Sequence, residues 1–351
     1  MKSRAISYAL LSAVLFGAST PAAKALLADF DQRILAGLLY CGAGLGAAMA
    51  RRLPRWMGVT IRVDEARLVG SEWLWLGAAT LAGGVVGPLS LMAGLAHIEA
   101  ATASLLLTLE GVFTAMIAWF VFREHFDRRI ALGMGFIVVG SLCLAWSGAP
   151  TVSNLFGPLA VVGACLAWAV DNNLTRNVSL SDPLQIVEIK GMAAGLVNLA
   201  IGLSSGASLP SYPLAGLAGV VGFLGYGVSL ALFVLALRHL GTARTGAYFS
   251  TAPFLGAAAS IVFLGEPASL QLLAGAVFMA IGVWLHLSEH HEHEHAHVAS
   301  AHIHPHAHDE HHRHGHEEDI GDTEPHTHWH EHRPLIHAHP HMPDMHHRHD
   351  H

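Results

Sequence analysis

Residues 119–140, WFVFREHFDRRIALGMGFIVVG, and residues 261–282, IVFLGEPASLQLLAGAVFMAIG, are two copies of one pattern. Each is an apolar run that closes on a glutamate, crosses a short polar stretch and opens a second, glycine-bearing apolar run. The glutamates, Glu124 and Glu266, stand 142 positions apart. The same offset relates His97 to His239, Ala101 to Ala243, Ala115 to Ala257, Gly133 to Gly275 and Gly140 to Gly282. Phe16 to Lys24 aligns with Trp168 to Arg176 at an offset of 152, the difference falling in the loop 51–72. The chain is an internal duplication.

Apolar runs of roughly 20 residues match the thickness of a bilayer's hydrocarbon core. Ten segments qualify: 5–27, 33–50, 73–96, 100–122, 130–147, 156–175, 184–204, 214–237, 242–264 and 268–287. The first has Lys2 and Arg4 before it and Ala23-Lys24-Ala25 at its end, as a secretory signal would, but its place in the repeat predicts a retained helix. Five spans is an odd number, so the two halves insert with opposite orientation, a plan shared by many secondary transporters. The expected fold class is an all-α membrane protein of two inverted five-helix repeats, 1–147 and 148–287, followed by a disordered His-rich tail, 288–351.

Composition agrees. Hydrophobic residues make up 52% of the chain and charged residues 13%, against about 25% charged in a soluble domain. Lys and Arg concentrate in alternate loops (Arg51, Arg52, Arg55, Arg62 and Arg67; Arg123, Arg128 and Arg129; Arg176; Arg238 and Arg244). The positive-inside rule therefore predicts cytoplasmic N- and C-termini, and the resemblance given below implies a bacterial inner membrane. No clustered basic patch points to nucleic acid. Cys41, Cys143 and Cys165 lack any metal spacing and read as small core residues.

The same stretches carry a resemblance. FGASTPAAK at 16–24 and the two glutamate-bearing segments resemble the drug/metabolite transporter superfamily, EamA type, over roughly residues 5–287. The resemblance implies ten helices, cytoplasmic termini, no ATP site and export of small solutes; no phosphate-binding GxxxxGK[ST] occurs. With the His-rich tail the chain also resembles the permease of bacterial cobalt–nickel-resistance determinants. A homodimer is compatible with this plan, and no enzyme is expected because no nucleophile–base set is visible.

Charges inside spans are costly and mark function. Glu110, about ten residues into the fourth span, is the first candidate, as a carboxylate exchanging a proton for a cation; the alternative is a protonated Glu bonded to a neighbouring helix. Asp171, Asn172 and Asn173 are three oxygen-bearing side chains suited to a hard cation or a polar vestibule, with an ion pair to Arg176 as the alternative. Glu188 and Lys190 are read as orientation and pairing residues. His97 with Glu99 is a weak metal pair or a solvated loop. Glu124 and Glu266 are read as helix-junction anchors. His125 has no evident ligand partner, His239 is flanked by Arg238, which argues against cation binding there, and His286 either joins the tail or marks the membrane interface. Interhelical glycines are expected to pack, and Pro21, Pro88 and Pro253 to kink their helices or free carbonyls.

Of 28 His, 24 lie from residue 288 onward, with 13 Asp/Glu and 3 Arg, a charge of −10. The histidines recur with single-residue spacing: His290, His291, His293, His295 and His297; His302, His304, His306 and His308; His311, His312, His314 and His316; His326, His328, His330 and His332; then 337–341 and 346–349. Neutral imidazole binds borderline transition metals, so Ni, Co or Zn is expected as a ligand of the tail, with no cofactor required. A pH-sensitive polyelectrolyte is the competing reading. Together these features lead to the expectation of proton-coupled export of a divalent metal, Ni²⁺ or Co²⁺, conferring resistance. The alternatives are a metabolite or amino-acid exporter with a regulatory tail, or a membrane-anchored metal buffer.

Overall fold

In a computed structural model, side chains are described over most of residues 4–285 apart from the connections near 53–71, 122–127, 146–154, 176–183 and 237–244, and strand backbone in four tail segments. Arg123, Glu124, His125, Arg176 and the side chains of Arg238, His239, Arg244 and His286 lie outside the described residues, as do His290, His291, His308, His311, His312, His314 and His316. The membrane part and the tail are separate units.

Among the described residues nine helical stretches are long and apolar enough to cross a bilayer, and a tenth, Leu270–Leu285, is apolar but shorter. The first five spans are α1 (Lys2–Leu26), α2 (Gln32–Trp56), α3 (Glu72–Ala79) continuing through a π-helical segment, π1 (Thr80–Val86), into α4 (Gly87–Leu95), then α5 and α6 (Ala100–Leu106, Leu109–Phe122), and α7 (Arg128–Ala145). The second five are α8 (Val152–Thr175), α9 (Pro183–Ser204), α10 with π2 and α11 (Tyr212–Gly222, Phe223–Val228, Ser229–Leu240), α12 with α13 (Thr242–Phe249, Ala252–Leu264), and α14 (Leu270–Leu287). Helices satisfy every backbone group internally, as lipid requires. Leu74, Phe120, Phe263 and Leu270 are 78%, 63%, 82% and 84% exposed, an apolar surface suited to acyl chains.

The duplication reaches into backbone detail. Offset by 142, π1 falls on residues 222–228, and π2 occupies Phe223–Val228. The fourth span of each half breaks within one residue of the same place, at Leu107–Thr108 and Ser250–Thr251. At each break a hydroxyl bonds the carbonyl three residues back: Thr108 Oγ1 donates to Leu105 O and Ser250 Oγ to Ala247 O, both at 2.8 Å. Pro253 sits in the first turn of α13, after a break, where a missing N–H costs little, whereas Pro88 lies where π1 runs unbroken into α4 and withholds an N–H from the carbonyls four and five residues back. Pro21 lies inside α1.

The halves pack crosswise. α1 lies against α11 and α13, and its repeat mate α8 lies against α4 and α6; α2 packs along α9, and α7 along α14. The repeated glycines make the last contact. A Cβ on Gly140 would come within 2.8 Å of Gly275 O, and one on Gly282 within 2.6 Å of Gly133 O. Each glycine thus opposes the mate of the other, the relation an antiparallel helix pair about a pseudo-twofold axis requires. Cys165 is buried, with its thiol directed at Leu106 O, and all three cysteines are free thiols.

The tail backbone pairs into two antiparallel ladders, β1 (Glu292–His297) with β4 (Leu335–Pro340) and β2 (Ser300–His306) with β3 (His326–His332). Composition rules out a packed core, but the His-x-His alternation has the period of two that a strand requires.

Candidate functional site

The two repeats line a cavity of about 230 Å³. Phe16 on α1, Tyr40 on α2, Trp168 on α8, Tyr226 on π2, Phe233 on α11 and Phe249 at the end of α12 line it. Phe16 and Trp168 are repeat mates at the offset of 152. The rings hold one another: Phe16 meets Tyr226 edge-on at 5.8 Å and Phe249 at 5.2 Å, and Phe233 meets Phe249 at 4.9 Å. Such pairs add roughly 0.5–1.5 kcal/mol each beyond their burial, so the wall is fixed in place.

One ion pair interrupts this apolar lining. Lys190 Nζ donates to Asp171 Oδ1 at 2.5 Å and to Thr175 Oγ1 at 3.3 Å, while the Thr175 hydroxyl donates to the same carboxylate oxygen at 2.9 Å. The side chains of Lys190 and Asp171 are only 15% and 11% exposed. Removing one member of a buried pair strands the other charge at a cost of about 3–5 kcal/mol.

A π-helical turn shapes the wall beside the pair. Pro88 has no N–H to give the carbonyls four and five residues before it, Gly84 O and Gly83 O, and side chains from three other helices take them. Gly83 O accepts from Tyr40 OH and from Trp168 Nε1, each at 2.8 Å, and Gly84 O accepts from Asn198 Nδ2 at 2.9 Å. Gly83 is also where Asp171 lies closest: a Cβ there would stand 1.9 Å from Asp171 Oδ2. The pseudo-symmetric contact is Gly225 with Ser19 Cβ, at 2.6 Å. One half thus presents a hydroxyl where the other presents a carboxylate.

The sequence candidates separate accordingly. Asp171 lines the cavity. Its described partner is Lys190 rather than Arg176, which lies outside the described residues. Lys190, expected to serve orientation, lines the cavity too; Glu188 does pair, with Arg51 and, at 2.8 Å, with Arg52. Glu110 opens α6 just after the helix break and is not among the cavity-lining residues. It accepts from Asn172 Nδ2 at 2.8 Å, and the same nitrogen reaches Thr114 Oγ1 at 3.4 Å. Asn172 joins Glu110 to the segment bearing Asp171. Asn173 is spent on structure, its amide bonding Ala169 O at 2.8 Å and Thr114 O at 3.3 Å. His97 bonds Ala93 O at 2.8 Å and packs on Phe156, and Glu99 is the residue preceding α5. Among the residues whose side chains are described, no group of three His, Cys, Asp or Glu could hold a metal ion.

A larger concavity of about 740 Å³ lies where α1 meets α2, with Lys24, Asp31 and Arg33 on its wall. Its charges are already engaged. Arg33 binds Asp31 through two nitrogens and holds that carboxyl below its ordinary range, and Lys24 Nζ caps Leu95 O and Ile98 O. The aromatic cavity between the repeats is the better candidate despite its smaller volume.

The EamA-like transporter family matches the chain twice, over residues 3–146 and 155–288. The chain belongs to this family. An uncharacterized transporter of Methanothermobacter thermautotrophicus is 28% identical, covering 79% of this chain and 84% of that protein. A probable amino-acid metabolite efflux pump of Salmonella typhimurium is 26% identical over 54% of this chain and 67% of its own length. A probable 4-amino-4-deoxy-L-arabinose-phosphoundecaprenol flippase subunit of Pseudomonas fluorescens is 34% identical over 31% of this chain and 92% of its own. One solved structure superposes with a TM-score of 0.57 at 17% identity, covering 80% of this chain and 95% of that one, which establishes the likeness of fold. As an EamA member the chain is a multi-pass membrane transporter.

Proposed function

We propose that this EamA-family protein is a secondary exporter of a small organic solute with an ionic group beside an apolar body, an amino-acid-like zwitterion being the best match. The observation that carries this reading is the aromatic cavity with the Asp171–Lys190 pair in its wall. A solute's carboxylate would displace Asp171 from Lys190, and its ammonium would take the freed Asp171. The exchange replaces one buried pair by two, so neither charge is stranded. The rings receive the apolar part and keep water out. The relative named as an amino-acid metabolite efflux pump points the same way. Lys and Arg in the loops orient both termini toward the cytoplasm, and the carboxylate of Glu110, linked through Asn172 to the Asp171 segment, is the proton carrier of the cycle.

A second reading, export of Ni²⁺ or Co²⁺, is favoured by the 24 tail histidines. It fits the cavity less well. Such ions take several nitrogen, oxygen or sulfur ligands, whereas the cavity offers one carboxylate already paired with an ammonium.

Expression in a bacterium fed an excess of dipeptides separates the two. The first reading expects amino acids to accumulate outside the cells while cell-associated nickel and cobalt stay unchanged. Lowered cellular metal with no change in amino acids would replace it with the second.

A further inference from the structure

Helix ends from opposite repeats are tied together on the face of the membrane part away from the termini. The fourth span opens at Ala100, and α13, the second part of the ninth, ends at Leu264. The chain then turns through Gly265, at φ +68°, and presents Glu266. Its carboxylate accepts from Ala100 N and Ala101 N, each at 2.7 Å, two donors that a helix start leaves without an intrahelical acceptor. Lys24, in the last turn of α1, donates to Leu95 O and Ile98 O. The α4–α5 turn is thus gripped by a cation at the carbonyl end of one helix and by an anion at the amide end of the next, each the favoured sign.

Beside this grip α1, α5 and α13 meet closely. A Cβ on Gly17 would come within 2.4 Å of Ala252 O, and one on Gly256 within 2.7 Å of Gly17 O and 2.8 Å of Ser104 Oγ. The closure is one-sided. α5 packs along α13, whereas its repeat mate α12 packs on α1 and α11. Among the described residues no comparable packing joins α12 to α6, the mate of α13. Inverted repeats that rock about a central site shut one face while the other is open. Ser104 marks the closed contact as one that parts. Its side chain is buried, and its hydroxyl has no hydrogen-bond partner. A buried unpaired hydroxyl opposes closure, and water reaching it on opening would satisfy it. The Glu266 cap supplies the opposing hold.

We propose that Glu266 is a gating residue of the transport cycle. Its cap on Ala100 and Ala101 holds α5 against α13 and shuts the path on the face away from the termini; release of the cap opens that face. Lys and Arg in the loops make this the outer face. Glu266 acts through α5 rather than on the solute, so the inference is independent of what the cavity carries.

The full-length protein without its own thiols (Cys41→Ala, Cys143→Ala, Cys165→Ala) and with Ser104→Cys reports the gate, because the introduced thiol meets the medium only when α5 leaves α13. Intact cells are treated with a membrane-impermeant maleimide. Labelling is expected to be slow with Glu266 in place and about tenfold faster in Glu266→Ala, the effect of a lost cap. Glu266→Gln keeps one acceptor oxygen and should label at an intermediate rate; it carries the test alone where Glu266→Ala fails to reach the membrane. Lys24→Met should accelerate labelling as well. Glu188→Gln breaks the pairing with Arg51 and Arg52 and controls for general loosening; its rate should match that of the parent. Three results would overturn the proposal: equal labelling with and without Glu266, no labelling in any variant, or the same acceleration in Glu188→Gln.

Discussion

Asp171 and Lys190 form a salt bridge at 2.5 Å from adjacent helices, 19 positions apart in sequence, in the wall of an otherwise aromatic cavity. Asp171→Asn and Lys190→Met should each lower the unfolding free energy by roughly 3–5 kcal/mol, because each leaves one buried charge alone. The double variant should recover most of that stability and none of the transport. Thermal unfolding in detergent beside vesicle uptake separates the two effects; a transport-competent double variant would remove the pair from substrate binding.

Gly83 sets how closely Asp171 approaches π1. Gly83→Ala places a methyl 1.9 Å from Asp171 Oδ2 and must push the carboxylate off its position. Transport should fall at least about tenfold, the effect of a displacement costing about 1.4 kcal/mol in productive binding. Gly111→Ala is the control, since no atom lies within 4 Å of a Cβ there. Equal transport by both variants would show that this contact does not matter.

Glu110 is expected to couple rather than to bind. Glu110→Gln keeps an acceptor for Asn172 but cannot carry a proton. Exchange of solute for solute should continue in vesicles, while the acceleration produced by an imposed pH gradient disappears. Loss of exchange as well would make Glu110 part of the binding site.

Glu266 caps a helix from the opposite repeat. Its two carboxylate oxygens accept from Ala100 N and Ala101 N, each at 2.7 Å, at the helix end where a negative charge is favoured. Glu266→Ala should cost about 1–2 kcal/mol, the range of a lost N-terminal cap, and Glu266→Gln less. Unfolding midpoints measure both.

Truncation after Leu287 removes the tail and leaves the cavity untouched. Solute transport should persist while binding of Zn²⁺ or Ni²⁺ to the purified protein falls to background. Loss of solute transport on truncation would tie the tail to the transport cycle.

Much of the fold could be read from Glu124, Glu266 and the paired glycines, because a duplication repeats the residues at its helix junctions and close contacts. The π-helical turns could not, since they arise from a one-residue shift of backbone hydrogen bonds; Gly83 and Gly225, in equivalent places, were the only trace. Asp171 stood out as a charge in a span. Lys190 did not, because its partner lies on another helix and proximity to a span end suggests an anchoring role. Glu110 drew attention through its depth, but depth does not say which face of a helix a residue occupies. The aromatic wall was hidden because one ring in an apolar span looks like any core residue; the mating of Phe16 with Trp168 was the available signal. The tail's composition announced imidazole chemistry, whereas the rung-by-rung pairing depends on which two distant segments meet.

Counterflow in proteoliposomes tests the central claim most directly. Purified full-length protein is loaded with one unlabelled amino acid at a time and assayed for exchange with labelled solute, with Ni²⁺ and Co²⁺ fluxes followed in parallel. Saturable exchange of an apolar amino acid, absent in Lys190→Met, with no metal flux, is the expected result. Flux of Ni²⁺ or Co²⁺ with no exchange of any organic zwitterion would contradict it.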